Sequence, residues 1–172
     1  MSDNKVVQIL LEYARKASDP TTVITNILSA NSKEKLYLSG VVPITKKALD
    51  KLKIKNILNV GAPQPLSESD LKSYNYLLIK ANDVPEEQLS DKFEQAFEFL
   101  QNCKGPTLVH CYAGRSRSVT VVLAYLIKYH NMLLSDALHH VASLRPGVFP
   151  NTGFINQLEN FAAKEGANDL LW

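Results

Sequence analysis

The chain has 172 residues, 45% of them hydrophobic and 21% charged, with a formal net charge of +2. This length suits one domain with a full-sized core, so a multidomain assembly is not expected, and the composition is that of an ordinary globular protein. So small a net charge does not by itself imply a nucleic-acid partner, which needs clustered positive charge, and none is expected; no run of about 18 apolar residues is available to span a bilayer.

The opening residues Met-Ser-Asp-Asn-Lys lack the basic and apolar regions of a signal peptide, and the second residue is Ser rather than the Gly that myristoylation requires. The last residues hold no prenylatable Cys, so no membrane anchor is expected. Residues 5 to 17 place Val7, Leu10, Leu11 and Ala14 on one helical stripe, with Asp19-Pro20 as the stop. That helix is expected to pack on the body; a partner-binding amphipathic helix is the alternative.

Beyond it, strand-like and helix-like segments alternate. Leu36 to Leu38 reads as a strand, Thr45 to Leu52 as a helix, and Ile54 to Val60 and Tyr76 to Ala81 as strands. Lys46, Lys47, Lys51, Lys53 and Lys55 form the densest basic run, either the solvated face of a helix and its exit or a docking patch for an acidic partner. Phe93, Ala96, Phe97 and Leu100 recur at helical spacing and end at Lys104-Gly105. Thr107 to His110 is a short apolar run suited to a buried central strand. From Ser118, the residues Val119, Val122, Leu123, Leu126 and Ile127 make a helix apolar over much of its circumference, hence deeply buried. Ser135 is placed to cap a helix that runs to Leu144 and stops at Arg145-Pro146-Gly147. A last helix carries Phe154, Leu158 and Phe161 inward. The alternation predicts an α/β fold: a central, mostly parallel sheet flanked by helices, with an N-terminal helical extension.

The chemistry concentrates where the buried strand ends. The segment His110-Cys-Tyr-Ala-Gly-Arg-Ser-Arg-Ser118 runs from a strand into an apolar helix. Amides at a helix N-terminus have no intrahelical partner, and the helix dipole adds positive potential there. A loop curled over that terminus can therefore hold a phosphate, and Gly114 permits the curl. The same field favours the thiolate form of Cys111, the nucleophile. Arg117 has a planar fork able to hold two phosphate oxygens, which Lys could not reproduce. Cys103 and Cys111 flank an extended strand, too far apart for a disulfide, and two cysteines make neither a disulfide framework nor a structural zinc site. A reducing, cytoplasmic location is expected, compatible with nuclear entry.

The motif resembles the signature of the protein tyrosine phosphatase superfamily: His-Cys, five residues, then Arg followed by Ser or Thr. The Arg-Ser-Arg-Ser ending is similar to the dual-specificity branch, and the likeness runs from about Leu36 to Phe161, including Arg145-Pro146 and Pro150-Asn-Thr-Gly-Phe154. The resemblance implies a small, atypical dual-specificity phosphatase: an extension over 1–34, a catalytic domain over 35–166 and a tail over 167–172. It implies Cys111 as nucleophile, Arg117 as phosphate clamp, and Asp83, in Ala81-Asn-Asp-Val-Pro85, as general acid. A turn-forming Asp is the alternative at Asp83, and Asp91, at a helix start, is the competitor for the role.

The phosphate loop would be Tyr112, Ala113, Gly114, Arg115, Ser116 and Arg117. Ser118 would assist hydrolysis of the phosphocysteine or serve only as an early helix residue, and His110 would orient the loop or rest as a satisfied core residue. Asn151 would brace the loop or make a turn. Arg115 and Arg145 are either selectors of acidic or doubly phosphorylated substrates or surface and capping residues. The family needs neither cofactor nor metal, acts on phosphorylated proteins, and is expected here as a monomer with a shallow pocket. Alternatives on the same fold are a phosphoinositide or RNA 5′-phosphatase, though the loop has no Lys, and a catalytically silent phosphopeptide-binding module.

Overall fold

The computed structural model describes residues 3–16 and 19–171. Five strands, β1 (Thr25–Asn26), β2 (Leu36–Ser39), β3 (Asn56–Val60), β4 (Asn75–Ile79) and β5 (Thr107–His110), form one sheet in the order β1-β2-β5-β3-β4. Every pairing is parallel except that of β1 with β2. The helices are α1 (Lys5–Ala14), α2 (Lys46–Lys51), α3 (Glu68–Leu71), α4 (Phe93–Asn102), α5 (Arg117–Tyr129), α6 (Leu134–Leu144) and α7 (Thr152–Lys164). The expected α/β fold with a mostly parallel central sheet is therefore the fold observed.

The sheet is covered on both faces, as parallel strands require. The larger core joins it to α1, α4, α5, α6 and α7, whereas Ile44, Leu49, Ile54, Ile57, Leu66 and Leu108 make a smaller core on the other side with α2. Strand β5 is buried at every position, and α5 is buried continuously from Ser118 to Ile127. A strand and a helix this deeply enclosed hold the turn between them firmly. The four parallel strands also end together at Ser39, Val60, Ile79 and His110, so the loops leaving them converge on one edge, where ligands of α/β sheets bind.

Several local expectations need correcting. Helix α1 does pack on the body, but through Val6 and Leu10, with Leu11 40% exposed; its inward face turns toward α6, where Tyr13 Oη lies 3.0 Å from His139 Nδ1. It stops at Ala14, and position 17 of the predicted stretch lies outside the described residues. Strand β3 begins at Asn56 rather than Ile54 because Lys53 adopts a left-handed turn (φ 57°). Ser135 does not cap α6. Its own amide and hydroxyl are instead bonded by the carboxylate of Asp169, a far-off residue that satisfies the helix start. In α7 the buried face is Phe154, Ile155, Leu158 and Ala162, with Phe161 partly exposed against Phe93 at 5.3 Å between ring centroids.

Candidate active site

Between β5 and α5 the chain makes a tight loop whose carbonyl groups all find donors. Cys111 O faces His110 Nδ1 at 3.1 Å, Tyr112 O accepts from Val41 N at 2.8 Å, and Arg115 O accepts from Phe149 N at 2.7 Å. Arg145 donates from Nη2 to Ala113 O (3.4 Å) and from Nε to Gly114 O (2.8 Å), while Ser116 O takes the amide and hydroxyl of Thr120. With the carbonyls so engaged, the amides from Tyr112 to Arg117 donate to no acceptor among the described residues. A run of unpaired amides ahead of a helix N-terminus is an anion cradle.

The loop's shape depends on two glycines. Gly114 has φ +66°, and a Cβ there would lie 2.4 Å from Ser39 C and 2.5 Å from Gly40 N. At Gly40 a Cβ would meet Tyr112 O at 2.5 Å, so the end of β2 and the loop touch backbone to backbone. Neither position has room for a side chain.

Cys111 is 2% exposed, with Sγ 3.0 Å from Ser118 Oγ, itself fully buried. Arg117 fixes one end of its guanidinium by donating from Nη1 to Gly61 O (2.7 Å) and Ala81 O (3.1 Å); its buried Nε has no partner among the described residues. The fork is thus anchored on one nitrogen and left with donors for an anion. Because the carbonyl of Cys111 can only accept, His110 carries its proton on Nδ1. Burial pushes the His110 pKa down to about 4, the backbone bond opposing this only in part, so the ring is neutral at pH 7.

Asp83 is exposed on the loop after β4. Its Oδ1 accepts from Ser116 Oγ (2.7 Å) and Asn151 Nδ2 (3.0 Å), and Ser116 Oγ in turn accepts from Asn151 N (3.0 Å). Asn151 also caps α7 by accepting from Phe154 N at 2.9 Å. One oxygen of Asp83 is therefore tied to the phosphate loop, while Oδ2 has no partner among the described residues. Behind it, Glu87 accepts from Asn82 N (3.2 Å) and Lys92 Nζ (2.9 Å), and Gln157 holds both Glu87 O and Ser90 N. Asp91 has no bond to this cluster; it lies in the first turn of the short 3-10 segment Leu89–Lys92.

The structure thus brings Cys111, Ser118, Arg117, Ser116, Asp83 and Asn151 together. Tyr112 is 60% exposed at the rim, and Arg115 is exposed with Nε on Gly147 O at 2.9 Å. Arg145 is neither a surface residue nor open to a substrate. It is 1% exposed and donates also to Val23 O (2.7 Å) and Thr25 Oγ1 (3.0 Å), so it joins the N-terminal segment to the phosphate loop; burial lowers its pKa to about 10, and it stays charged at neutral pH. Burial likewise raises the pKa of the half-buried Cys103 thiol, which makes it a poor nucleophile. Sequence reasoning did not foresee the bracing by Gly40, Val23 and Thr25; the only available signal was Gly40 at the end of a predicted strand.

A cysteine sulfur at the base of such a cradle, with an arginine fork in the same loop, is the arrangement of a cysteine-dependent phosphatase. Residues 36–164 match the family described as dual specificity phosphatase, catalytic domain, and the chain belongs to that family. Dual specificity protein phosphatase 1 of Arabidopsis thaliana is 36% identical over 138 residues, covering 78% of this chain and 69% of that protein. Human dual specificity protein phosphatase 15 is 38% identical over 133 residues, 73% of this chain and 43% of its own length. A crystal structure of DUSP15 superposes with a TM-score of 0.71 at 32% identity, over 83% of this chain and 89% of that one. Several curated relatives are much longer than this chain, which spans 24% of the tyrosine-protein phosphatase vhp-1 of Caenorhabditis elegans.

Proposed function

We propose that the protein hydrolyses phosphotyrosine and phosphoserine or phosphothreonine monoesters in protein substrates through a phosphocysteine intermediate. The observation that carries this reading is the loop itself: its carbonyls are engaged by donors, and its amides are left unpaired around Cys111 Sγ. As the phosphoryl group transfers, charge spreads over its equatorial oxygens, and fixed amides plus the free donors of Arg117 stabilise it without reorganising.

The Cys111 thiolate attacks phosphorus and the bond to the leaving oxygen breaks. Asp83 supplies a proton to that oxygen from Oδ2, the oxygen not tied to Ser116 and Asn151. Asp83, now a carboxylate, then takes a proton from the water that attacks phosphorus. The S–P bond breaks, and Ser118 donates its hydroxyl to the departing thiolate. The connection from Gly61 to Ser73 contains only the four-residue α3, too little chain to build a high wall, which supports a shallow pocket open to all three phosphoresidues. The reading takes the protein as a monomer in a reducing, cytoplasmic setting.

Hydrolysis of phenyl phosphate, whose poor leaving group needs a proton to depart, with reductant and chelator present tests it. Cys111→Ser is expected to abolish turnover, and Asp83→Ala to lower kcat by about a hundredfold or more. Turnover that survives Cys111→Ser would sink the mechanism.

A further inference from the structure

Beside the phosphate loop, at the same edge of the sheet, lies a groove of about 590 Å³. It runs between the turn after β3 (Gly61, Ala62, Pro63) and the end of β4 (Leu78, Lys80, Ala81). Its volume lies within the range of ligand pockets, of order 300–1,000 Å³. Two of its lining residues, Gly61 and Ala81, supply the carbonyls that hold Arg117 Nη1. The groove and the phosphate site are therefore neighbours, joined through the backbone of Gly61 and Ala81, which lines the one and anchors Arg117 in the other. A phosphate held by Arg117 leaves the neighbouring residues of an extended peptide, about 3.3 Å per residue, within reach of the groove.

The chemistry of the groove is specific in sign. Leu78 and Lys80 stand two apart along the edge strand and its exit, so both face the same way. Leu78 is 39% exposed there and, with Ala62 and Pro63, gives an apolar floor. Of the charged groups, Lys92 and Glu87 neutralise each other at 2.9 Å. Lys80 is exposed, and its ammonium has no acidic partner among the described residues. Of the arginines around the loop, Arg145 is sealed by backbone carbonyls, while Arg115 is tied to Gly147 O through Nε on the loop itself and does not line the groove.

We infer that this groove is a substrate subsite that takes the acidic residue flanking the phosphorylated one, with Lys80 as its selecting charge. The inference rests on the phosphatase reading and names the class of substrate for it: phosphopeptides with Asp or Glu within two residues of the phosphate.

The test compares wild type, Lys80→Met and Lys80→Glu on three substrates: an aryl phosphate, a phosphopeptide with Glu at the flanking positions, and the same peptide with Gln there. Wild type is expected to favour the Glu peptide about fivefold in kcat/KM, the upper end for an exposed ion pair, chiefly through KM. Lys80→Met should remove that preference and Lys80→Glu reverse it, with aryl phosphate turnover unchanged in both. Added salt should shrink the wild-type preference. If wild type does not distinguish the peptides, or the Lys80 variants keep the preference, the subsite is wrong while the phosphatase stands. If wild type turns over no phosphate ester at all, the phosphatase reading fails, and the subsite with it.

Discussion

The phosphate loop and the Asp83 loop, to which the proposed mechanism assigns the two halves of the chemistry, are fastened in different ways. The first is enclosed: backbone amides and the buried side chains of Arg145, His110 and Thr120 engage its carbonyls, its Gly114 touches Gly40, and the buried strand and helix on either side hold its ends. The second is exposed and tied down by side chains, with Ser116, Asn151 and Gln157 reaching from distant segments and Lys92 from close by in the chain. A cradle that stabilises a transition state by preorganisation must not move, whereas an acid that gives and then takes a proton needs only correct placement. Buried closure suits the first task and exposed side-chain tethers the second.

Paired glycine substitutions would break this comparison most directly. A Cβ at Gly114 meets Ser39 C at 2.4 Å, and one at Gly153 meets Pro85 O at 2.0 Å, so both collide with backbone. Around Gly114 nothing can yield without disturbing β2 and the cradle, and φ +66° adds strain. Gly114→Ala is expected to lower kcat/KM for every substrate by about a hundredfold or more and to weaken vanadate binding alongside. Gly153→Ala instead displaces the exposed acid loop and should leave vanadate binding intact. Equal vanadate affinities for the two folded variants would erase the distinction.

A smaller change sharpens it. Asn151→Ser keeps a capping oxygen at the start of α7 but withdraws the amide that holds Asp83, and Ser116→Ala removes the other tether. Each should slow substrates with poor leaving groups, such as phosphoserine peptides, by about tenfold, a fraction of the full general-acid contribution. Aryl phosphates with acidic phenols, which depart without a proton, should be little affected. A uniform loss across leaving groups would mean that these residues support the fold rather than place the acid.

The same contrast decides what could be read from the sequence. The phosphate loop was legible because its determinants are contiguous: a β-run, Cys111, Gly114, Arg117 and an apolar helix follow one another, and each element's period or punctuation is local. The central strands and α5 were legible for the same reason. The tethers were not, since Ser116 to Asp83 spans 33 residues and Arg145 to Val23 spans 122, and no local pattern encodes which polar side chains will meet. Arg145 shows the difficulty well. As one charged residue before a Pro it reads as surface, yet the fold buries it completely by offering it three backbone carbonyls and a hydroxyl. Helix α6 tells the same story, its capping carboxylate being Asp169 in the tail.

The stiffness of the phosphate loop carries one cost that appears only in acid. His110 is buried and neutral, donating from Nδ1 to Cys111 O, with Nε2 unpartnered among the described residues. Its pKa falls from the ordinary 6.5 to about 4 in the fold, chiefly through burial. Between these values the unfolded chain binds the proton and the folded one does not, so protonation favours unfolding. The contribution is fully present above pH 6.5 and is lost as pH falls through the folded value, by about 3 kcal/mol at pH 4. Denaturant unfolding of wild type and His110→Asn at intervals from pH 7 to pH 4 isolates it, because the carboxylates that also titrate there are common to both. The difference in unfolding free energy should narrow steadily toward acid, while a constant difference would show that His110 takes up its proton as readily folded as unfolded. That result would mean the loop opens to water in acid, and the rigidity assigned to it would hold only near neutrality.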